Sequence, residues 1–203
     1  MNWMMICYIA IGYLLGSIPF ALVIGKLFYH TDVRKYGSGN LGGTNAGRVL
    51  GKKAGIATIV LDVLKVVVAV AIVSLIFLDP DNAIWAGVAA AFGHCYPVFA
   101  GFKGGKAAAT LVGFLLSTAI FTFHNAMYVV IPLIAFFVLL YLFKMVSLAS
   151  MSMAIVSSLY ITFMQNNISI TIASWLLSVL VVYRHRVNIG KIINHTENKI
   201  TWL

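Results

Sequence analysis

Long apolar stretches, separated by short polar segments, make up most of the chain. A helix needs about 20 mostly apolar residues to cross a lipid bilayer. Three stretches have this length and character: residues 4–25, 56–77 and 83–102. Each of them predicts one transmembrane helix, and the polar segments between them predict loops at the membrane surfaces.

Two longer apolar stretches must each fold back on themselves. Residues 107–143 contain no Asp, Glu, Lys or Arg, yet one helix of that length would be almost twice the roughly 30 Å thickness of the hydrocarbon core. His124-Asn125 is the most polar point at which this stretch can turn. Residues 145–183 pose the same problem and contain Gln165-Asn166-Asn167 near their middle. The pattern therefore predicts seven transmembrane helices.

Composition and charge agree with this pattern. Hydrophobic residues make up 62% of the chain and charged residues 9%, which would leave a soluble domain with far too much exposed apolar surface. With seven crossings, every lysine and arginine except Lys65 falls on one side of the membrane, whereas Asp79 and Asp81 fall on the other. Basic loops stay in the cytoplasm, so the amino terminus is predicted outside and the carboxyl terminus inside.

The expected fold class is an all-α integral membrane protein, with residues 1–203 forming one polytopic seven-transmembrane-helix bundle. Five spans with re-entrant pieces are the alternative, but they misplace some basic segments. Lys65 lies within the second span, three residues after Asp62 on the same helical face. We expect a buried structural ion pair, with a catalytic role as the alternative. Gly12 and Gly16 form a GxxxG pattern, which favours close helix packing.

The segment from Gly37 to Arg48, GSGNLGGTNAGR, is predicted to be a polar loop at the cytoplasmic face. Its glycines allow backbone N–H groups to converge on an anion, and Arg48 adds a bidentate partner for phosphate. Short side-chain donors complete the segment: Ser38, Asn40, Thr44 and Asn45. The alternative is a flexible connector built from turn-forming residues.

Three further polar clusters fall at the same face. Residues 93–110 contain His94, Lys103 and Lys106; residues 147–150 open a span with Ser147; and the segment after residue 183 contains His185, Asn188 and Glu197. Together the four clusters supply several cations, two histidines and many neutral donors, but few carboxylates. This balance favours anionic substrates bound without a metal or other cofactor. Nucleic acid is not expected as a partner, because membrane topology explains the net charge of +9.

Four motifs closely resemble those of the bacterial membrane acyl-phosphate:glycerol-3-phosphate acyltransferases. They are SGNLGGTNAGR at 38–48, GHCYPVFAGFKGGKAAAT at 93–110, SLAS at 147–150, and HRVNIGKI followed by TEN at 185–198. The similarity extends over nearly the whole chain. It implies transfer of a fatty acyl group from acyl phosphate to the 1-hydroxyl of glycerol 3-phosphate, giving lysophosphatidic acid and phosphate, the first acylation of phospholipid synthesis.

The resemblance also implies a setting for this reaction. The protein is expected in the bacterial cytoplasmic (inner) membrane, with seven helices in contact with membrane lipid and the active site at the cytoplasmic face. Functional coupling to the enzyme that makes acyl phosphate is expected as well. The family has been assigned a substrate-assisted mechanism, in which a bound phosphate accepts the hydroxyl proton; His94 as general base is the alternative.

Site residues follow from the same match. The implied catalytic residues are Ser38, Arg48, His94 and Lys106, and the implied substrate-binding residues are Asn40, Thr44, Asn45, Lys103, Ser147, His185, Asn188 and Glu197. Most of them would bind phosphate, while His94, His185 and Asn188 would orient the glycerol phosphate. No metal ligands are expected among them.

The sequence departs from the family pattern at three places. His195 precedes Thr196-Glu197 where the family usually has glycine, Lys191 replaces an arginine, and Ala107 replaces a glycine. We expect Ala107 to be tolerated because a helix N-terminus accommodates alanine. An anion or phosphate-ester transporter is the main alternative function, although its site would be expected near the bilayer midplane. A structural partner of another lipid enzyme is a third.

Overall fold

The computed structural model describes residues 3–200, and these residues form helices and turns without a β-strand. Within this range the α-helices are α1 (Trp3–Gly16), α2 (Phe20–Tyr29), α3 (Gly43–Leu50), α4 (Lys52–Ala71), α5 (Pro80–Cys95), α6 (Ala108–Ser117), α7 (Met127–Phe143), α8 (Val146–Met164), α9 (Ile168–Arg184) and α10 (Arg186–Ile193). Wider π-helical turns extend α4 over Ile72–Ile76 and α6 over Thr118–Thr122.

Most of these helices have the length and apolar character of membrane spans. Four stretches are long enough to cross a bilayer: Trp3–Tyr29, Lys52–Ile76, Pro80–Ala100 and Val146–Met164. A fifth is formed if α9 and α10, which meet at an angle of 56°, are taken together. The remaining apolar helices, Ala108–Thr122 and Met127–Phe143, are shorter. The all-helical membrane fold is confirmed, and the count of seven stays a prediction.

The two predicted fold-back points are both confirmed. The chain leaves helical geometry between Thr122 and Met127, where the side chain of Asn125 accepts a hydrogen bond from the Met127 N–H. It does so again between α8 and α9, where Asn167 caps α9 by accepting from the N–H groups of Ser169 and Ile170. Asparagine side chains stabilise such helix starts because they satisfy N–H groups that lack an intrahelical partner.

The span predicted over residues 4–25 is present as Trp3–Tyr29, but it is interrupted. The helix ends at Gly16, and a new one begins at Phe20. Pro19 has no N–H to donate, and its ring clashes with the carbonyl four residues before it, so the first helix cannot continue through this position. The break leaves the carbonyl of Ile18 free, and the ammonium of Lys65 donates to it over 2.9 Å.

The GxxxG pattern packs α1 against α5, as predicted. A Cβ atom added to Gly12 would lie 2.1 Å from the carbonyl oxygen of Ala86, and one added to Gly16 would lie 2.1 Å from that of Ala90. Real Cβ atoms do not come that close to an oxygen, so the two backbones approach to a distance that only glycine allows. This contact fixes α5, which carries His94 near its carboxyl end.

The prediction of a loop over the whole of 37–48 is wrong. Only residues 37–42 are irregular, and Gly43–Leu50 forms the amphipathic helix α3. Its buried face includes Asn45 and Ala46, whereas Thr44 and Arg48 are exposed. The local composition of glycine and asparagine favours a turn, but burial of one face against α4 stabilises the helix.

Candidate active site

Asn45 holds the loop of residues 37–42 in place. Its side-chain oxygen accepts from the backbone N–H of Ser38 over 2.8 Å, and its amide nitrogen donates to the carbonyls of Val33 (3.1 Å) and Tyr36 (3.3 Å). Gly37 lies directly against the Asn45 oxygen and has a φ of 60°, a conformation in which glycine is not strained. Asn45, predicted as a substrate ligand, therefore uses its amide to shape the loop.

A second loop, residues 103–106, lies beside the first. The amide of Asn40 donates to the carbonyl of Gly104 over 3.4 Å, while its oxygen accepts from the Gly42 N–H. Arg184, at the end of α9, donates to the carbonyls of Gly105 (3.0 Å) and Gly104 (3.1 Å). Three segments distant in sequence therefore meet at the backbone that precedes Lys106.

Ala107, which follows this loop, adopts a left-handed backbone conformation with a φ of 60°. The expectation that alanine is well tolerated here was wrong, because its methyl group makes this conformation about 1–2 kcal/mol less favourable than the right-handed one. Glycine, the usual family residue at this position, would not carry that cost.

Lys106 ends a chain of hydrogen bonds that joins three parts of the protein. Its ammonium donates to the side-chain oxygen of Asn188 on α10 over 2.5 Å. The amide nitrogen of Asn188 donates to Glu197 over 2.7 Å, and the hydroxyl of Ser147 on α8 donates to the same carboxylate oxygen over 2.7 Å. Glu197 thus orients the Asn188 amide, which in turn fixes the position of the Lys106 ammonium.

Positive charge is concentrated around Lys106. Burial lowers the pKa of Lys106 below its usual range; the carboxylate of Glu197 opposes this change, and the cations Lys191, Arg184 and Arg48 lower the pKa further. Arg184 is placed there by its hydrogen bonds to the carbonyls of Gly104 and Gly105. A dianionic phosphate placed among these cations would relieve the repulsion, so the cluster has the charge of an anion site.

The expected Asp62–Lys65 ion pair is confirmed, and His94 joins it. The Lys65 ammonium lies 2.7 Å from Asp62 Oδ1 and 3.1 Å from His94 Nδ1, and the latter atom lies 3.4 Å from Asp62 Oδ1. All three side chains are at most 5% exposed. The ring of His94 packs against Gly105, where an added Cβ would lie 1.9 Å from Nε2. The pair therefore contacts the site through His94.

The other predicted residues differ in how the structure holds them. His185 is buried, and its Nδ1 donates to the carbonyl of Val181 over 2.8 Å, because that oxygen can only accept. Ser38 and Thr44 are exposed beside the first loop. Lys103 is exposed too, and no hydrogen bond or ion pair between residues 3 and 200 involves its ammonium.

Comparison with known proteins identifies the family. The family model described as "Glycerol-3-phosphate acyltransferase" matches residues 6–195. The chain belongs to this glycerol-3-phosphate acyltransferase family. The glycerol-3-phosphate acyltransferase of Geobacillus kaustophilus is 45% identical over 192 residues, covering 95% of this chain and 94% of the relative. That of Bacillus subtilis is 45% identical over 195 residues, covering 96% and 97%.

Solved structures of an integral membrane glycerol 3-phosphate acyltransferase, PlsY, are similar in fold. The glycerol 3-phosphate form superposes with a TM-score of 0.88 at 33% identity, covering 97% of this chain and 96% of the other. The lysophosphatidic acid form has a TM-score of 0.84 at 32% identity, covering 97% and 95%. At this identity the match supports a shared family as well as a shared fold.

In this member of the glycerol-3-phosphate acyltransferase family, sequence reasoning missed two contributions to the site. Arg184 was not among the predicted site residues, yet it holds the backbone of both Gly104 and Gly105. The ion pair of Asp62 and Lys65 was expected to be structural, without a link to His94. The position of Arg184 next to His185 was the available signal for the first, and no sequence signal pointed to the second.

Proposed function

We propose that this protein transfers a fatty acyl group from acyl phosphate to the 1-hydroxyl of glycerol 3-phosphate. The hydroxyl oxygen forms a bond to the acyl carbonyl carbon, the bond from that carbon to the phosphate oxygen breaks, and lysophosphatidic acid and phosphate are released. Family membership supports acylation of glycerol 3-phosphate, since the relatives carry that name and PlsY has been solved in glycerol 3-phosphate and lysophosphatidic acid forms. Acyl phosphate as the donor is the further step.

The observation that carries this proposal is the cation cluster around Lys106. Asn188 holds the Lys106 ammonium in place, and Arg184 contacts the backbone just before it. Arg48 and Lys191 add positive charge that lowers the pKa of Lys106. Both substrates present a phosphate, and phosphate is also the leaving group, so cations stabilise the charge that develops as the acyl–phosphate bond breaks. An acyl phosphate is a mixed anhydride, and it therefore needs less activation than an ordinary ester.

We propose the following roles for the site residues in this reaction. Ser38, Arg48, His94 and Lys106 act on the reacting groups, and Asn40, Thr44, Lys103, His185 and Asn188 bind substrate. Asn45, Ser147 and Glu197 act by positioning: Asn45 shapes the first loop, and Glu197 with Ser147 orients Asn188.

The proton of the attacking hydroxyl is proposed to pass to substrate phosphate. Two carboxylates fall on the cytoplasmic side of the proposed topology, Asp32 and Glu197. The hydrogen bond from Arg34 lowers the pKa of Asp32 to about 2, so this carboxylate is a weak base. Glu197 already accepts from Ser147 and Asn188 through one oxygen. The phosphate of the acyl donor, in contrast, takes part in every turnover, and attack on the adjacent acyl carbon brings the hydroxyl next to it.

The proposed setting is the bacterial cytoplasmic membrane. We propose seven spans in one domain, with the amino terminus outside and the site at the cytoplasmic face. The distribution of lysine and arginine supports this orientation. Delivery of acyl phosphate by the enzyme that makes it is part of the same proposal, because the donor's acyl chain favours the membrane.

The test is an assay of purified protein in lipid nanodiscs with glycerol 3-phosphate and either palmitoyl phosphate or palmitoyl-CoA. Lysophosphatidic acid and released phosphate are both measured. We expect lysophosphatidic acid with palmitoyl phosphate but not with palmitoyl-CoA. Lysophosphatidic acid formed from palmitoyl-CoA but not from palmitoyl phosphate would overturn the assigned donor. Arg48→Ala should lower kcat/KM by about 100-fold or more, since one preorganised donor to the reacting anion has that effect.

Arg186→Ala is the matched control. Arg186 is an exposed arginine at the same face, and its guanidinium contacts only Tyr183 among the hydrogen-bond and ring partners of residues 3–200. Its loss should leave kcat/KM unchanged. An equal loss in both variants would mean that Arg48 acts through net surface charge and would contradict a specific site. No turnover with either donor would overturn the acyltransferase function.

A further inference from the structure

Two hydrogen-bond contacts and one ion pair hold the ammonium of Lys65 inside the protein. Three acceptors surround it: Asp62 Oδ1 at 2.7 Å, the carbonyl oxygen of Ile18 at 2.9 Å and His94 Nδ1 at 3.1 Å. The contact with Asp62 is an ion pair, whereas the Ile18 carbonyl and His94 Nδ1 lie at hydrogen-bond distance from the ammonium, which can only donate. The adjacent Asp62 carboxylate compensates the buried positive charge, and the ring of Phe20 lies 5.7 Å from Nζ.

This arrangement determines where His94 carries its proton. Lys65 can only donate, so a hydrogen bond across this 3.1 Å contact requires Nδ1 of a neutral His94 to accept, and the ring proton then resides on Nε2. The Asp62 carboxylate favours the opposite tautomer, but at 3.4 Å it lies farther from Nδ1. His185 shows the opposite arrangement, because its Nδ1 donates to the carbonyl of Val181 and its Nε2 is left as the acceptor. Nε2 of His94 is therefore a hydrogen-bond donor, whereas Nε2 of His185 is an acceptor.

The Nε2 end of His94 lies at the active-site backbone. It faces Gly105, the residue before Lys106, from a position that an alanine Cβ would overlap. The backbone N–H of Gly105 also donates to the His94 carbonyl over 2.9 Å. No hydrogen bond among residues 3–200 uses His94 Nε2, so its N–H is available to a ligand beside Lys106.

We propose that Lys65 and Asp62 are positioning residues that fix His94 as an Nε2–H hydrogen-bond donor to an anionic substrate oxygen. His94 is then not the general base of the reaction. The inference rests on the active site proposed above and deepens it. It also gives a role to the helix break at Pro19, because the freed carbonyl of Ile18 accepts from Lys65 and holds the ammonium beside His94.

The first experiment determines the tautomer directly in the substrate-free protein. Histidine is labelled with ¹⁵N and carbonyl ¹³C, and cysteine with ¹⁵N, in nanodiscs. His94-Cys95 is the only His-Cys pair in the sequence, so its resonances are assigned without a variant. The ¹⁵N shifts are expected to show a bare Nδ1 and a protonated Nε2 at neutral pH, and His185 should show the reverse. A protonated Nδ1 at His94 would overturn the proposal.

Lys65→Met tests whether the lysine sets this tautomer. Without the ammonium, the nearest partner of Nδ1 is the Asp62 carboxylate at 3.4 Å, which accepts, so Nδ1 should become protonated. His185 should keep its spectrum. An unchanged His94 spectrum would contradict the positioning role of Lys65. If this variant does not fold, the measurement on the unaltered protein still decides the tautomer.

Activity of His94 variants separates a donor from a base. Glutamine carries an amide N–H donor at about the reach of Nε2 but is not basic, whereas alanine lacks both functions. His94→Ala should lose about 100- to 1,000-fold in kcat, the usual effect of removing one such donor, and His94→Gln should recover most of it. Equal inactivity of the two variants, with thermal unfolding like that of the original protein, would overturn the donor role. Absence of turnover in the original protein would overturn the proposed function, a result distinct from a wrong tautomer.

Discussion

Gly105→Ala is the sharpest structural perturbation of this site. The added methyl would lie 1.9 Å from His94 Nε2, 2.5 Å from Cε1 and 2.8 Å from Cδ2. A relaxed contact between such atoms is about 3.5 Å, so the ring must move by roughly 1.5 Å. It cannot do so and keep the 3.1 Å contact between Nδ1 and Lys65.

The expected cost combines two effects. Overpacking of a rigid interior costs about 1–3 kcal/mol, and loss of a hydrogen bond to a charged group costs about 1.5–3 kcal/mol. Gly105→Ala should therefore lower the free energy of unfolding by about 2.5–6 kcal/mol. A displacement of about 1 Å at the backbone before Lys106 should also reduce kcat/KM by about 100-fold.

Thermal unfolding is followed with a thiol-reactive fluorescent dye, using the buried thiol of Cys95 as reporter. The half-buried Cys7 is replaced by serine in every sample to remove background. Gly190→Ala on α10 is the matched control, because no atom lies within 4 Å of its added Cβ and its backbone is helical. It should stabilise by at most about 1 kcal/mol. Native stability and activity in Gly105→Ala would refute the packing of His94 on this backbone.

Three further predictions concern the rest of the site. Asn45→Ala should destabilise the fold by about 1–3 kcal/mol and raise KM for glycerol 3-phosphate, because the loop loses its clamp; denaturation and steady-state kinetics test this. The pKa of Lys106 lies below its usual range, so kcat/KM should fall as the pH rises through that lowered pKa and the ammonium loses its proton. Lys106→Arg should remove this alkaline decline, because arginine stays charged. An unchanged pH profile in the variant would contradict a role for the charge of Lys106. Gly16→Leu should separate α1 from α5 and abolish the cooperative unfolding transition, whereas an unaltered transition would contradict the 2.1 Å approach to Ala90.

The sequence alone determined the membrane character of the protein and the points where the chain turns. Apolar length sets how many residues can remain in lipid, and the polar breaks at 124–125 and 165–167 were the places where a turn leaves the fewest buried polar groups. The motifs also indicated the cluster of Lys106, Asn188 and Glu197, although their hydrogen-bonded order was not visible.

Local pattern was insufficient where long-range packing decides conformation. Apolar composition concealed the helix break at Pro19, and the glycines of residues 37–48 concealed α3, whose helix is stabilised by burial. The left-handed conformation of Ala107 likewise depends on how the chain enters α6, which a residue type does not reveal.

Tertiary structure alone decided the electrostatic partners of the site. The three-residue spacing of Asp62 and Lys65 predicted their pairing, because helix periodicity brings such residues to one face. Nothing in that periodicity states which helix lies opposite. His94 is 29 residues from Lys65 and Arg184 is 79 from Gly105, so these contacts exist only because the packed helices bring the segments together. A proton's place on an imidazole depends on such neighbours, and it is therefore a property of the fold.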